Sequence, residues 1–284
     1  MSKTEAFAAK QQFDWNGPSG ANWVARQEMQ DAVLAPASAL LFAAAKLQKG
    51  ERVIDIGCGC GDTTLEAARQ VGAAGVAFGA DISVPMIARA RERSAAEGLG
   101  AAFAVADATD HPFPPGGADA FISRFGVMFF AEPERAFANM HRGLKPGGRF
   151  VFICWQPLKL NEWMVTPLRA ALEHAPRLPD PDPDEPGPFA FADEAKVRRI
   201  LAGAGFTDVT MRREAMTLDI AAGQGFEAGL ASATAIGPAS WALREANGAQ
   251  RAAGIAAIRA ALAPFSEGGS VRLRAAPWVV EARA

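Results

Sequence analysis

Residues 53–64 read Val-Ile-Asp-Ile-Gly-Cys-Gly-Cys-Gly-Asp-Thr-Thr, a short apolar run carrying one acid that opens into glycines at alternate positions. A glycine-rich turn between a buried strand and a helix lets a ligand approach backbone where any Cβ would collide. The spacing bears on which ligand. A pyrophosphate-binding loop places its third glycine three residues after the second; here that position is Asp62, and the third glycine is Gly61. Asp55, at the end of the apolar run, is an unusual acid for such a strand. The loop therefore suits a cationic, phosphate-free cofactor better than a nicotinamide dinucleotide.

The elements that must position this loop alternate between residues 50 and 156. Arg52–Ile56 reads as a strand and Thr63–Val71 as a helix, followed by a strand at Gly75–Asp81 and a helix at Pro85–Glu97. Ala101–Ala106 and Ala118–Ser123 are short apolar strands, Pro133–Leu144 is helical, and Arg149–Trp155 is a fifth strand after Lys145-Pro-Gly-Gly148. Strands separated by helices argue for a parallel sheet covered on both faces, with ligands beyond the carboxyl ends of the strands. After Trp155 the pattern breaks. Residues 176–188 carry six prolines among Asp180, Asp182, Asp184 and Glu185, which favours extended backbone. That segment is either a plain surface loop or a lid over a pocket. Asp193–Ala204 resumes as a helix, Thr207–Ile220 reads as one long strand, residues 221–265 are alanine-rich and mostly helical, and Trp278–Ala284 is a terminal strand.

Composition narrows the function classes. With 284 residues there is ample chain for a core and an added lobe. A net charge of −2 leaves no electrostatic footprint for nucleic acid or an anionic membrane. Cys58, Cys60 and Cys154 form no disulfide framework, which points to a reduced, cytoplasmic setting. The first residues lack the apolar core of a signal peptide, and Ala32–Ala45, interrupted by Pro36, is too short to span a bilayer. Three histidines without paired spacing, and a Cys-x-Cys inside a glycine loop, argue against a metal site.

Five segments in order now carry a family resemblance: Asp55-Ile-Gly57-Cys-Gly59-Cys-Gly61 with Thr64, Ala80-Asp81-Ile82-Ser83 with Met86, Ala106-Asp107-Ala108, Pro112-Phe113, and Leu144-Lys-Pro-Gly-Gly148. Together they resemble the class I S-adenosylmethionine-dependent methyltransferases, in the small-molecule group that includes the ubiquinone and menaquinone methyltransferases. The resemblance implies an α/β fold: a seven-stranded, doubly wound, mostly parallel Rossmann-like sheet. On it we read an N-terminal helical flap (1–48), a core (49–220) with a proline-rich loop at 176–190, a helical cap insertion (221–270) and a final core strand (271–284). The resemblance further implies that Gly57, Gly59 and Gly61 lie against the methionyl part of S-adenosylmethionine, with Asp55 helping to position its ammonium directly or through water. Asp81 would accept from both ribose hydroxyls, Ile82 and Met86 would sandwich the adenine, and Asp107 with the Ala108 amide would read the adenine edge. Thr63 or Thr64 would cap the following helix and face the cofactor's carboxylate.

Methyl transfer needs a protein base only if the acceptor must lose a proton. His111, four residues after Asp107, is the candidate for that role; His141 and His174 read as solvated. Ser123-Arg-Phe-Gly-Val-Met-Phe-Phe130 follows the fourth strand, where Ser123 would touch the cofactor, Arg124 would pair with the cofactor's carboxylate or with an acidic acceptor, and Phe125, Met128 and Phe129 would line an acceptor pocket. Trp155, Asn161 and Trp163 would form its far wall. Trp15 and Trp23, set among Gly, Asn and Ser, read as a flap closing over the cofactor. With no tyrosine in the chain, no phenol can serve as acid or base. The expected function is methyl transfer to a small, apolar or aromatic acceptor, with no metal, nucleic-acid or membrane partner and with homo-oligomerisation left open. The alternatives are a non-catalytic S-adenosylmethionine-binding regulator or scaffold, and a nicotinamide-dependent oxidoreductase.

Overall fold

The computed structural model describes residues 2–177, 179, 182 and 185–284. Three helices come first: α1 (Lys3–Asn16), α2 (Pro18–Ala25) and α3 (Gln27–Ala45). α1 begins at a capping box, in which the Ser2 hydroxyl accepts from the Glu5 N–H at 3.2 Å and the Glu5 carboxylate accepts from the Ser2 N–H at 2.6 Å. The alternating region follows as β1 (Arg52–Ile56), α4 (Asp62–Val71), β2 (Val76–Asp81), α5 (Val84–Glu97), β3 (Ala102–Val105), β4 (Ala118–Arg124), α6 (Pro133–Gly143) and β5 (Leu144–Trp155). Then come α7 (Glu162–Leu172), α8 (Glu194–Gly203), β6 (Thr207–Arg213), β7 (Met216–Asp219), α9 (Phe226–Ala235), α10 (Pro238–Glu245), α11 (Gly248–Leu262), β8 (Ser266–Glu267), β9 (Ser270–Ala275) and β10 (Pro277–Arg283).

Seven strands make one sheet in the order β3-β2-β1-β4-β5-β10-β6. The first five are parallel, and β10 runs antiparallel to both β5 and β6. The strands alternate as a sheet buried on two faces must. Phe121, Phe150 and Phe152 point to one face, where they meet Phe137 of α6 and Val197, Ile200 and Leu201 of α8. Ala120, Ile122, Val151 and Ile153 point to the other, against Leu41, Ala44 and Ala45 of α3 and Ala67 and Val71 of α4. The doubly wound sheet is thus the expected one.

The second half departs from the sequence reading in two places. Thr207–Ile220 is not one strand: β6 ends at Arg213, and β7 belongs to a separate three-stranded sheet of order β7-β9-β8. The end of the chain divides in the same way, β9 pairing with β7 and β10 returning to the main sheet. At the crossing, the Glu214 N–H donates to the Pro277 carbonyl at 3.0 Å, while the Gln156 amide donates to the Pro277 carbonyl at 2.9 Å. Residues 162–172, read as patternless, form α7, which packs on α10, α11 and β9. Of the proline-rich segment, Leu178, Asp180, Pro181, Pro183 and Asp184 lie outside the described residues, and so does the lid-or-loop reading placed on them. Asp182 and Glu185 pair with Lys3 (2.8 Å) and Lys10 (2.5 Å) of α1. Among the described residues, no helix is long and apolar enough to cross a membrane.

A candidate active site at the strand-order switch

The strand order reverses between β1 and β4, and a crevice opens at their carboxyl ends. Two glycines make its floor. A Cβ added to Gly57 would lie 2.6 Å from the Gly126 Cα, and one added to Gly126 would lie 2.7 Å from the Gly57 Cα. The Ser123 hydroxyl locks the pair by donating to the Ile56 carbonyl (2.7 Å) and accepting from the Gly126 N–H (3.2 Å). Phe125, between them, is held at a φ of +67° and stacks on Trp155 with ring centroids 4.0 Å apart.

The loop after β1 is braced from beneath. Asp55 is buried, and one carboxylate oxygen accepts from the hydroxyls of Thr63 (2.7 Å) and Thr64 (2.6 Å). Its other oxygen is buried without a hydrogen-bond partner. Burial pushes the carboxyl up to about 6, against the pull of the two threonine hydroxyls. At the end of β2, Asp81 accepts from the Gly59 N–H and the Ser83 N–H, both at 2.9 Å. Burial raises its pKa, and those backbone donors oppose the rise. A carboxylate has about four acceptor positions, so lone pairs remain for a ligand. Burial raises Cys58 and pushes Cys60 up to about 12, which removes both as nucleophiles.

The N-terminal helices dock onto the same corner. The Ser83 hydroxyl donates to the Trp15 carbonyl at 2.6 Å, the Val84 N–H donates to the Asn16 side chain at 2.9 Å, and the Asn16 amide donates to the Ile82 carbonyl at 3.1 Å. Trp15 meets Phe129 edge to face at 5.2 Å. α3 presents Gln27, Gln30, Asp31 and Leu34, one helical face at i, i+3, i+4 and i+7. Asp31 pairs with Arg93 (2.9 Å), and Arg124 pairs with Asp62 (2.7 Å) and donates to the Ser38 hydroxyl (2.6 Å). Burial, then the neighbouring Asp62, raises the pKa of Asp31 against the pull of Arg93. These walls enclose a cavity of about 1440 Å³. It exceeds the roughly 300–1,000 Å³ of a site for one small molecule, so it has room for two ligands.

Comparison with known proteins agrees with this geometry. Residues 53–148 match the family described as a methyltransferase domain. Residues 53–148 carry a methyltransferase domain. A demethylmenaquinone methyltransferase of Thermus thermophilus is 40% identical over 107 residues, 38% of this chain and 48% of that protein. The ubiquinone/menaquinone C-methyltransferase of Methylococcus capsulatus is 36% identical over 111 residues, 38% of this chain and 45% of that protein. The chain thus spans about half the length of these curated relatives. An uncharacterised protein of Mycobacterium bovis is 31% identical over 185 residues, covering 65% of this chain and 64% of its own. The fold is shared with the YcgJ protein of Bacillus subtilis (TM-score 0.57, 15% identity, 88% and 98% covered) and with the cyclase SpnF (TM-score 0.51, 19% identity, 87% and 79% covered).

Within the methyltransferase domain the crevice brings together many of the expected residues. Gly57, Gly59, Asp81, Ile82, Met86, Asp107, Ala108 and Arg124 line the cavity together with Trp15, Trp23, Phe125, Met128, Phe129, Trp155 and Trp163. They fit S-adenosylmethionine: the Asp81 carboxylate keeps acceptor capacity for a ribose hydroxyl, and Gly57 and Gly126 let the two strand-end loops pack together beside it.

Several expectations need correction. Asp55 lies under the loop and outside the cavity lining, so it braces rather than contacts. Thr64 is fully buried against Asp55, and neither threonine caps α4, whose N-cap is Gly61. Gly61 (φ +88°) faces Ala90 and Phe103, where an added Cβ would come within 3.0 and 3.1 Å, so it serves helix packing. Ser123 is wholly buried in its lock on Ile56. Asn161, also wholly buried, donates to the Gln156 carbonyl and accepts from the Ala276 N–H, both at 2.9 Å, and so joins the two sheets rather than lining a pocket. His111 lies outside the cavity lining; it stacks on Phe78 (centroids 5.9 Å) and meets Phe113 edge to face at 4.7 Å. No histidine lines the cavity among the described residues. Reading the sequence missed Gln27, Gln30 and Asp31, whose only signal was their common helical face.

Proposed function

We propose that this chain is an S-adenosylmethionine-dependent methyltransferase acting on a small, apolar or aromatic molecule in a cytosolic setting. The observation that carries the reading is that Asp81, Gly57 and Gly126 line the same cavity as the apolar side chains of Phe125, Met128, Trp155 and Trp163. The curated relatives named for quinone-pathway methylation support the same acceptor class. Gly57, Gly59, Asp81, Ile82, Met86, Asp107 and Ala108 would hold the cofactor, whose sulfonium supplies an electrophilic methyl group when bound. The residues around it then have three tasks: align an acceptor atom, exclude water and keep the site rigid. The flap of residues 1–48 would close the adenosine end, and residues 221–270 would cap the acceptor end. With no histidine on the cavity wall among the described residues, we read the reaction as one of alignment without a histidine base.

Thermal shift tests the reading. S-adenosylmethionine and S-adenosylhomocysteine should both stabilise the protein, by about 2.7 kcal/mol at a hundred times Kd, and NADH should not. Stabilisation by NADH alone overturns it. Binding without release of S-adenosylhomocysteine, across a broad panel of phenols, quinols and heteroaromatic rings, returns the regulator reading.

A further inference from the structure

Gln30 lies on the face of α3 that lines the cavity. It is 4% exposed, it lines the cavity, and its carboxamide makes no hydrogen bond to the protein among the described residues. Its neighbours on the same helical face are engaged. Gln27 donates to Asp31 at 2.5 Å and accepts from Arg89 at 3.0 Å, and Asp31 pairs with Arg93. Elsewhere on the wall, the Trp15 indole donates to Gln11 at 2.9 Å and the Asn22 amide donates to the Ala235 carbonyl at 3.3 Å. A buried polar group is normally hydrogen-bonded, because leaving it unmatched is costly. The Gln30 carboxamide and the Trp163 indole N–H, both without a partner among the described residues, line the same cavity. One turn along α3, Leu34 packs in the core that holds Ile56, Met128 and Trp155. Gln30 therefore lies where the ion pairs beside the glycine loop give way to the apolar chamber.

We infer that Gln30 is the residue that selects the acceptor, by matching a hydroxyl on an otherwise apolar ring. This rests on the methyl-transfer reading for the word acceptor, though not for the contact itself. A carboxamide both donates and accepts, and a hydroxyl does the same, so one group can satisfy the other in a dry pocket. A carboxylate would add an unpaired charge beside Asp31 and Asp62. A pure hydrocarbon would leave the amide buried and unmatched. Sites built to hydrogen-bond a ligand hydroxyl discriminate strongly against the analogue that lacks it.

The test compares 1-naphthol with 1-methylnaphthalene, similar in shape and differing in the hydroxyl, titrated by ligand-observed NMR with and without saturating S-adenosylhomocysteine. Wild-type protein should bind 1-naphthol roughly three- to tenfold more tightly, the worth of one neutral hydrogen bond. Gln30→Met, unbranched and of similar length, should erase that preference while its Kd for S-adenosylhomocysteine stays within about twofold of wild type. Gln30→Leu provides the same comparison should the first variant fold poorly. Equal affinity for the two probes, binding of neither, or a preference that survives Gln30→Met overturns the inference. So does a parallel loss of S-adenosylhomocysteine affinity, which would move Gln30 to the donor end. Failure of wild type to bind S-adenosylhomocysteine sinks the methyl-transfer reading instead, and the naphthol preference and its loss in Gln30→Met would still stand.

Discussion

Two aspartates at the ends of neighbouring strands have opposite tasks. Asp81 faces the cavity while accepting from the backbone N–H groups of Gly59, Ser83 and Ile82. Asp81→Ala should weaken S-adenosylhomocysteine at least about a hundredfold, since each hydrogen bond to a charged group is worth about 1.5–3 kcal/mol; calorimetric titration measures it. His111→Ala should leave that Kd unchanged, because the imidazole packs between Phe78 and Phe113 away from the ligand. Asp55 works through stability. Its carboxyl sits at about 6 against an ordinary 3.8, so the folded protein keeps this proton after the unfolded chain has released it. Stability therefore falls as pH rises from about 4 to about 6, by on the order of 3 kcal/mol, and the deficit persists above that window. Asp55→Asn carries no such proton. The difference in melting temperature, wild type minus variant, should be larger at pH 5 than at pH 7.5, and an equal difference at both contradicts the placement of Asp55.

The helix–strand elements from β1 to β5 were legible because each apolar run is bounded by glycine, proline or an acid at its carboxyl end. Their meeting at the switch point was legible only in part. Gly57 stood out in its loop, while Gly126, which meets it, sits unmarked in Arg-Phe-Gly-Val. Gly126 has an ordinary φ, so its need for glycine is steric alone: an added Cβ would lie 2.7 Å from both the Gly57 Cα and the Ile56 carbonyl. Gly126→Ala should cost about 1–3 kcal/mol by overpacking, seen in urea unfolding, and should weaken cofactor binding by shifting the floor. The broken strand at 213–216 was invisible because Thr-Met-Arg-Arg-Glu-Ala-Met-Thr contains neither glycine nor proline. What ends β6 is remote: Pro277 and Gln156 take over the backbone partners there. Asn161 misled for the same reason, since a wholly buried amide joining two sheets looks in sequence like a polar pocket residue.

At the scale of the whole molecule, the cofactor corner is the place where three separate stretches of chain are tied together. The N-terminal helices, the β2–α5 junction and the glycine loop meet there through Ser83, Asn16 and Asp81. Ser83 carries two of these ties: it caps α5 by accepting from the Met86 N–H at 3.5 Å, and it donates to the Trp15 carbonyl at 2.6 Å. Gly20 lets the backbone come that close, since a Cβ there would lie 2.0 Å from the Trp15 carbonyl. On its far side α1 carries the exposed pairs Lys3–Asp182 and Lys10–Glu185, and exposed pairs contribute about 0–1 kcal/mol. The Trp15–Asn16 end of α1 is therefore its firmer attachment, and the lysine end is the weaker one. Ser83→Ala should cost about 1–2 kcal/mol through the lost cap and bond, and amide exchange should speed up over residues 15–23 more than over α3. Lys10→Ala should leave stability within about 1 kcal/mol of wild type and exchange at residues 15–23 unchanged. If instead Lys10→Ala frees residues 15–23 and Ser83→Ala does not, the firmer attachment is at the opposite end.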